Sequence, residues 1–311
     1  MLKRRHLLMG SLLAGCAPRQ RTPASLVSIR RSHAYNGHLY ETVRSLIAEH
    51  RLDVRGKRVV IKPNLVEFDP GTTVNTHPIL VHAALEAFRA AGAADVRIAE
   101  GPGHRRNTFE LAEAAGYFET VPQFESLFTD LNVDEVSHVR LPGAHSTLGS
   151  LYLPQTVLRC DLLVSLPKMK THHWVGATLS MKNLFGLVPG AVYGWPKNVL
   201  HWAGIDQCIA DLYAAFPRHF AIVDGIVGME GNGPIQGKPK PAGVIVAGSD
   251  LLTVDATCCR IMRIDPEKIG YLKMAGGSRT AEESVQQIGE HITTVRTSFE
   301  LIDEFRSIRL S

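Results

Sequence analysis

Short apolar strands alternate with amphipathic helices along most of the chain. In the first half, strands and helices follow one another over Leu26–Ile29, Leu39–Ala48, Val59–Ile61, Ile79–Ala90 and Val96–Ala99. In the second half, the same alternation covers Leu162–Ser165, Ile205–Phe216, Phe220–Val223, Val244–Ala247 and Leu252–Met262. This order is typical of helices packed on both faces of one sheet. We therefore predict an α/β fold with a largely parallel or mixed central sheet, and an insertion of short strands over residues 118–155.

The first sixteen residues have the order of a secretion signal. Lys3, Arg4 and Arg5 precede a short apolar run that ends in Leu-Ala-Gly-Cys at Cys16. The run is far shorter than the roughly 20 residues that span a bilayer, which favours a cleaved leader. Leu-Ala-Gly-Cys resembles the bacterial lipobox, in which the cysteine is acylated. We expect cleavage before Cys16, lipidation of that residue, and a lipid-anchored protein on the periplasmic side of the cell envelope.

The sequence does not decide between the twin-arginine and the general secretory export route. Arg4-Arg5 followed by His6-Leu7-Leu8 looks like a twin-arginine signal, but Lys3 replaces the usual Ser or Thr. The alternative to a leader is an amphipathic helix with a chance cysteine. After the leader, residues 17–24 contain two prolines among arginines and are predicted to be an exposed tether. Residues 25–311 are expected to form a single α/β domain.

Composition excludes several classes of function. The net charge of +4 is modest, so we expect no nucleic-acid surface. Besides Cys16, no two cysteines are spaced Cys-x-x-Cys, so neither an iron–sulfur cluster nor a common zinc site is expected. The vicinal pair Cys258-Cys259 falls in an apolar helical pattern and is interpreted as buried free thiols.

Lysines cluster where the predicted strands end. Lys62 and Asn64 follow one strand, Lys168 and Lys170 follow another, and Lys182-Asn183 begins a segment rich in small residues. Carboxyl ends of neighbouring parallel strands lie at one edge of a sheet, so these side chains are predicted to bind a small anion. The alternative is that each lysine is a solvated surface residue.

Candidates for proton transfer and metal binding lie near these lysines. His172 is two residues after Lys170, and we predict that both act in catalysis, with the imidazole as general acid or base. Asp224, Glu230 and Asp255 offer hard oxygen ligands that suit a divalent metal such as Mg²⁺. Caps and turns are the alternative roles for the two aspartates.

Six segments together resemble one family of bacterial and archaeal proteins. They are Val60–Asn64, Glu100–Gly103, Pro167–His172, Met181–Gly186, Val223–Ile226 and Gly231–Gly237. In this order they are similar to the family called domain of unknown function 362, with the resemblance running from about residue 57 to 275. The resemblance extends to Val254-Asp255-Ala256, and it implies that the predicted lysines, Asn64, Asn183, His172, Asp224 and Asp255 form one site. Many members carry ferredoxin-like cysteine motifs, which this chain lacks.

Two functions fit these patterns. The first is a cell-envelope enzyme that acts on a small substrate carrying a phosphate or carboxylate, at a lysine-rich site that a metal could assist. The alternative is a non-catalytic lipoprotein that captures an anionic ligand or a metal and passes it to a partner. Convergence of the lysines and acids in one concave pocket is the observation on which both depend.

Overall fold

The computed structural model describes residues 24–104 and 107–310. The predicted leader, Cys16 and nearly all of the predicted tether lie outside these residues. Twelve strands are present in the described chain: β1 (Ser25–Arg31), β2 (Arg58–Pro63), β3 (Asp95–Glu100), β4 (Phe128–Asp130), β5 (Val136–Arg140), β6 (Ser150–Pro154), β7 (Leu162–Leu166), β8 (Lys168–His172), β9 (Gly176–Thr178), β10 (His219–Glu230), β11 (Lys238–Gly248) and β12 (Val285–Gly289).

Ten of these strands form one central sheet. Its main path runs β12-β1-β11-β10-β7-β2-β3-β4, while β8 pairs with β10 and β9. Neighbours from β10 to β4 along this path are parallel, and β11 pairs antiparallel with both β1 and β10. The predicted α/β fold with a largely parallel, mixed sheet is confirmed.

Helices cover both faces of the sheet. They are α1 (His38–Glu49), α2 (Pro78–Ala90), α3 (Thr108–Ala114), α4 (Tyr117–Thr120), α5 (Phe124–Leu127), α6 (Gln155–Leu158), α7 (Ser180–Asn183), α8 (Gly190–Tyr193), α9 (Asn198–Trp202), α10 (Ile205–Ala215), α11 (Leu251–Ile261), α12 (Gly270–Gly276) and α13 (Ile292–Val295), with short 3₁₀ turns at Leu184–Leu187, Pro266–Lys268, Gly277–Thr280, Glu282–Ser284 and Asp303–Ile308.

Two apolar cores lie on opposite faces of the sheet, and alternate side chains of each strand point into one or the other. Val60 and Val223 face one core together with apolar residues of α10 and α11. Ile61 and Ile222, their chain neighbours, face the other core with residues of α1 and α2. Successive strand side chains point to opposite faces, so a continuous apolar run such as Val59–Ile61 supplies both cores.

The region 118–155 is only partly an insertion of short strands. β4 joins the edge of the main sheet, whereas β5 and β6 form a separate antiparallel hairpin. Two single-turn helices, α4 and α5, precede them. Within the described residues, no helix is long and apolar enough to cross a membrane.

Three predicted positions differ from the structure. Asp224 lies in the middle of β10, since that strand continues to Glu230 through a bulge between Gly225 and Val227. Lys168 and Lys170 belong to β8, which pairs with the bulged part of β10. Pro167 lacks an N–H, so it separates β7 from β8 by one residue. Its carbonyl accepts a hydrogen bond from the backbone N–H of Asp224, so the chain stays beside β10 and continues as β8.

Asp255 lies inside α11 and holds the turn that carries Lys182. Its carboxylate accepts hydrogen bonds from the backbone N–H groups of Ser180 at 2.8 Å and Met181 at 2.9 Å, and from the Ser180 hydroxyl. These are the orphan donors at the start of α7. The aspartate is therefore a buried cap for a neighbouring helix, which fixes the segment that follows.

Candidate functional site

A cavity of about 170 Å³ opens at the carboxyl ends of β2 and β3, beside β8. We call it the lysine cavity because Lys62, Lys170, Lys182 and Lys197 line it. Four histidines also line it, at positions 104, 172, 173 and 201, together with the rings of Trp174 and Phe185. Among the described residues, none of the lining side chains is a carboxylate.

Lys62 forms a buried ion pair under the cavity. Its Nζ lies 2.6 Å from Oε2 of Glu100, and it also donates to Oδ1 of Asn183 at 3.0 Å and to the carbonyl of Pro63 at 2.9 Å. Glu100 also accepts hydrogen bonds from the backbone N–H groups of Leu65 and Gly101. Burial lowers the pKa of Lys62, and the charge of Glu100 opposes that shift. The pair is therefore fully satisfied and has little capacity left for a ligand.

Glycine at position 186 allows the backbone to approach this pair. A Cβ at that position would lie 1.9 Å from Oε1 of Glu100 and 2.6 Å from Nζ of Lys62. Any larger residue would displace the ion pair. The glycine that ends the Lys-Asn-Leu-Phe-Gly segment is therefore needed because the backbone passes close to this ion pair.

Lys170 is buried and has no carboxylate partner among the described residues. Its Nζ donates to the carbonyl oxygens of Val74 at 2.9 Å and Pro234 at 3.1 Å. Burial lowers the pKa of this lysine well below its usual range, and repulsion from Lys168 and Lys182 adds to the effect. A bound anion would relieve that repulsion.

Lys182 presents an amine with no hydrogen-bond or salt-bridge partner among the described residues. Its Nζ lies 3.7 Å from the centre of the Phe185 ring, and its side chain is partly exposed to the cavity. Burial lowers the pKa of Lys182 to about 7, with a further contribution from the charge of Lys62. Near neutral pH, a large fraction of this side chain is therefore an uncharged amine.

Lys197 was not predicted from the sequence. Its Nζ donates to the carbonyl of Gly101 at 2.5 Å, and burial lowers its pKa to about 7 against the attraction of Glu100. The residue follows Trp195-Pro196 in a segment without helical or strand periodicity. Proline there indicates a turn, but nothing in the local pattern indicates that the turn reaches the lysine cavity.

Two adjacent histidines have their tautomers fixed by backbone hydrogen bonds. The N–H of Trp174 donates to Nδ1 of His172 at 3.0 Å, so the neutral His172 ring carries its proton on Nε2. Nδ1 of His173 lies 2.7 Å from the carbonyl of Gly233 and must donate to it, which leaves Nε2 of His173 as an acceptor. Burial lowers the pKa of His172 well below its usual range, and the charge of Lys182 adds to that shift. The pair thus offers one N–H donor and one proton acceptor.

Three further polar atoms on the cavity wall are buried and have no hydrogen-bond partner among the described residues. They are Oδ1 of Asn64, Oγ1 of Thr178 and Nδ1 of His201, and Asn64 and Thr178 are only 7% and 5% exposed. Buried polar atoms are rarely left unpaired unless a ligand or water completes them. Asn183 differs, because it accepts from Lys62 and donates to Ser165, and so positions Lys62.

Lys168 and Asp224 do not line the cavity. They form a second buried ion pair, with Nζ 2.6 Å from Oδ2, and the hydroxyl of Tyr35 donates to Oδ1 of Asp224 at 2.8 Å. The backbone N–H of His77 also donates to this carboxylate, and the His77 ring stacks on Tyr35 with 3.7 Å between ring centres. This network holds β8 against the bulge of β10 and so places Lys170 at the cavity.

The three acids predicted to share a metal are engaged separately. Asp224 is held by Lys168 and Asp255 caps α7, while Glu230 forms a salt bridge with Lys240 at 3.0 Å and accepts a hydrogen bond from the N–H of Glu300. The described residues contain no group of three or more His, Cys, Asp or Glu side chains arranged to hold a metal. The expected grouping is therefore not what the structure has. Cys16 lies outside the described residues, and the four described cysteines are free and buried.

Comparison with known proteins agrees with the motifs that surround the cavity. The family model described as a domain of unknown function, DUF362, matches residues 59–260. The chain belongs to this family. A thylakoid-associated protein of Synechocystis sp. is 30% identical over 259 residues, which cover 78% of this chain and 76% of that protein.

Solved structures are less similar to this DUF362 protein. The lactate racemase apoprotein from Thermoanaerobacterium thermosaccharolyticum gives a TM-score of 0.47 at 15% identity, covering 77% of this chain and 57% of that one. A protein from Thermotoga maritima gives a TM-score of 0.39 at 13% identity, covering 72% and 57%. The chain thus spans somewhat more than half the length of either protein.

The ion pair of this DUF362 protein can be tested by removing one partner. Lys62→Met leaves Glu100 buried without a counter-charge, and we expect the free energy of unfolding to fall by about 3–5 kcal/mol in urea denaturation. The double variant Lys62→Met/Glu100→Gln should recover part of this loss, because no buried charge remains. Arg58→Met is the control, since its pair with Asp161 is solvent-exposed and should change stability by about 1 kcal/mol or less. A Lys62→Met variant as stable as the control would contradict the assignment.

Proposed function

We propose that this protein is a cell-envelope enzyme that binds a small anionic substrate, with a phosphate or carboxylate group, in the lysine cavity. The observation that carries the proposal is the imbalance of charge in the cavity. Four lysines line it, and the described lining residues include no acid. Only Lys62 has a salt bridge to a described residue, so a bound anion would stabilise the protonated forms of the other three.

The size of the cavity supports a small substrate. Sites for drug-sized ligands have volumes of about 300–1,000 Å³, whereas the lysine cavity has about 170 Å³. The unpaired oxygen atoms of Asn64 and Thr178 would meet polar groups of the substrate. A simple metabolite with one or two anionic groups fits these dimensions.

The two histidines favour an enzyme over a carrier. A carrier needs charge complementarity, which the lysines supply. It has no need of a fixed N–H donor at His172 next to a fixed acceptor at His173. General acid–base catalysis needs both. In this proposal Lys170, Lys182 and Lys197 hold the anion, and the histidines move or hold a proton on the substrate.

Anion binding is tested with sulfate, whose charge is constant between pH 6 and 9. Lys182 and Lys197 have a pKa of about 7 in the free protein, and a bound anion favours their protonated forms. Affinity is therefore highest below pH 7 and falls above it, approaching roughly tenfold per pH unit for each lysine that must take up a proton. Isothermal titration calorimetry in buffers of different ionisation enthalpy measures both the affinity and the proton uptake.

The matched variants for this experiment are Lys182→Met and Lys273→Met. Lys273 is an exposed lysine of α12, so its removal should leave sulfate binding unchanged. Loss of Lys182 should weaken binding at pH 6.5 by about tenfold or more. Equal affinity in both variants, or affinity independent of pH, would remove the support for an anion site at the cavity.

Turnover separates an enzyme from a carrier. A panel of small phosphates and carboxylates is incubated with the protein and followed by ¹H and ³¹P NMR. We expect one class to be converted, and His173→Ala to lose turnover by about 10²–10⁴-fold while it keeps sulfate affinity, because the lost group transfers a proton. His138→Ala, on the surface hairpin of β5 and β6, is the control. Sulfate binding with no converted compound would favour the carrier.

The envelope location rests on the lipobox sequence at Cys16. Expression of the full chain with radiolabelled palmitate should label the wild-type protein and leave Cys16→Ala unlabelled. The wild type should sediment with membranes, while the variant should not. A wild type without label would contradict lipidation, whatever the result for the cavity.

A further inference from the structure

We propose that the amine of Lys182 forms an imine with the carbonyl carbon of a small 2-oxo carboxylate bound in the lysine cavity. This inference rests on the proposed function, because it names the substrate class for the same anion site. It adds a covalent step at one named atom and makes the carboxylate, rather than phosphate, the charged group that the other lysines hold.

Geometry distinguishes Lys182 from the other lysines of the cavity. Lys62 is paired with Glu100, and Lys170 donates to two carbonyl oxygens. Lys197 donates to the carbonyl of Gly101. Lys182 has no such partner among the described residues, and its Nζ lies against the face of Phe185. Its amine is therefore the one that can meet an electrophile without first breaking a hydrogen bond.

An amine must be uncharged to attack a carbonyl. Burial and the neighbouring charge of Lys62 lower the pKa of Lys182 to about 7, so the lone pair is available near neutral pH. The ring of Phe185 attracts the ammonium form and so acts against this shift. Desolvated lysines with this property are typical of imine-forming sites.

The rest of the cavity suits a carboxylate next to the carbonyl. Lys170 and Lys197 line the same small space and lack salt bridges to described residues, and a bound carboxylate favours their protonated forms. The hydroxyl of Thr178 has no hydrogen-bond partner in the described part of the chain and can donate to a carboxylate oxygen. Since the cavity holds about 170 Å³, the carboxylate and the carbonyl must belong to one compact molecule.

The step is a condensation that needs no oxidant. The lone pair of Lys182 forms the N–C bond, and the carbonyl π electrons move to oxygen, which the Nε2–H of His172 stabilises by a hydrogen bond. His173 carries a proton from the nitrogen to this oxygen, giving a carbinolamine. Loss of the oxygen as water, with transfer of the second nitrogen proton, leaves the imine. Carbonyl and amine are thus converted to imine and one water molecule.

The experiment is reductive trapping on the folded, full-length protein. Pyruvate serves as the probe, sodium cyanoborohydride reduces any imine, and peptide mass spectrometry locates the adduct. We expect one adduct on Lys182, formed faster as the pH rises from 6 to 8 when pyruvate saturates the site at each pH. At lower pyruvate concentration, excess sulfate should slow its formation at least tenfold. Lys182→Arg keeps the positive charge but cannot form an imine, so it should lose the adduct. Lys273→Arg should keep it.

The outcomes separate this inference from the proposed function. Sulfate binding with no adduct on Lys182 overturns the imine and leaves the anion site standing. Adducts confined to exposed lysines, in equal yield in wild type and Lys182→Arg, also overturn it. Absence of both sulfate binding and the adduct would remove the proposed function as well. Thermal unfolding of Lys182→Arg within a few degrees of wild type shows that loss of the adduct is not loss of fold.

Discussion

At one edge of the sheet, several buried lysines lack a matching acid among the described residues, and this is the constraint on which the rest of the structure depends. Two buried acids close to this edge are each already paired, Glu100 with Lys62 and Asp224 with Lys168. Lys170, Lys182 and Lys197 have no such acid, and their pKa values are lowered because burial, with repulsion from neighbouring lysines, opposes their charges. Such an arrangement opposes folding, and it is typical of sites whose electrostatics are completed by a ligand.

The residues that the family motifs share divide into two roles. Lys170, His172 and Lys182 line the cavity. Asp224 and Asp255 lie behind it, one holding β8 through Lys168 and Tyr35, the other capping the turn that carries Lys182. A motif aspartate can thus serve a site without touching its ligand. Rigid support of this kind keeps a charged side chain where a substrate needs it, which is the general requirement for preorganised catalysis.

Much of the fold could be predicted because it depends on local patterns. Apolar runs bounded by turns located strands such as β2 and β7, since burial on both faces of a parallel sheet requires continuous apolar residues. The predicted end of β10 after Val223 was wrong, because a bulge lets the strand continue past Asp224. In the sequence, a polar residue in the middle of a strand looks the same as one that follows a strand. Only the pairing of β10 with β8 shows that Asp224 lies within the strand.

The site was harder to predict than the fold because its contacts join distant segments. One partner of Asp224 is Tyr35, 189 residues earlier, and Lys197 reaches the carbonyl of Gly101 across 96 residues. No spacing rule connects such pairs. The lysines that recur after the predicted strands nonetheless indicated that the cavity would be lined by positively charged residue types. What the sequence could not show is which lysine has no hydrogen-bond partner among the described residues. The proposed imine rests on that distinction, since a lysine already donating hydrogen bonds must give them up before it can attack a carbonyl, and Lys182 donates none to a described residue.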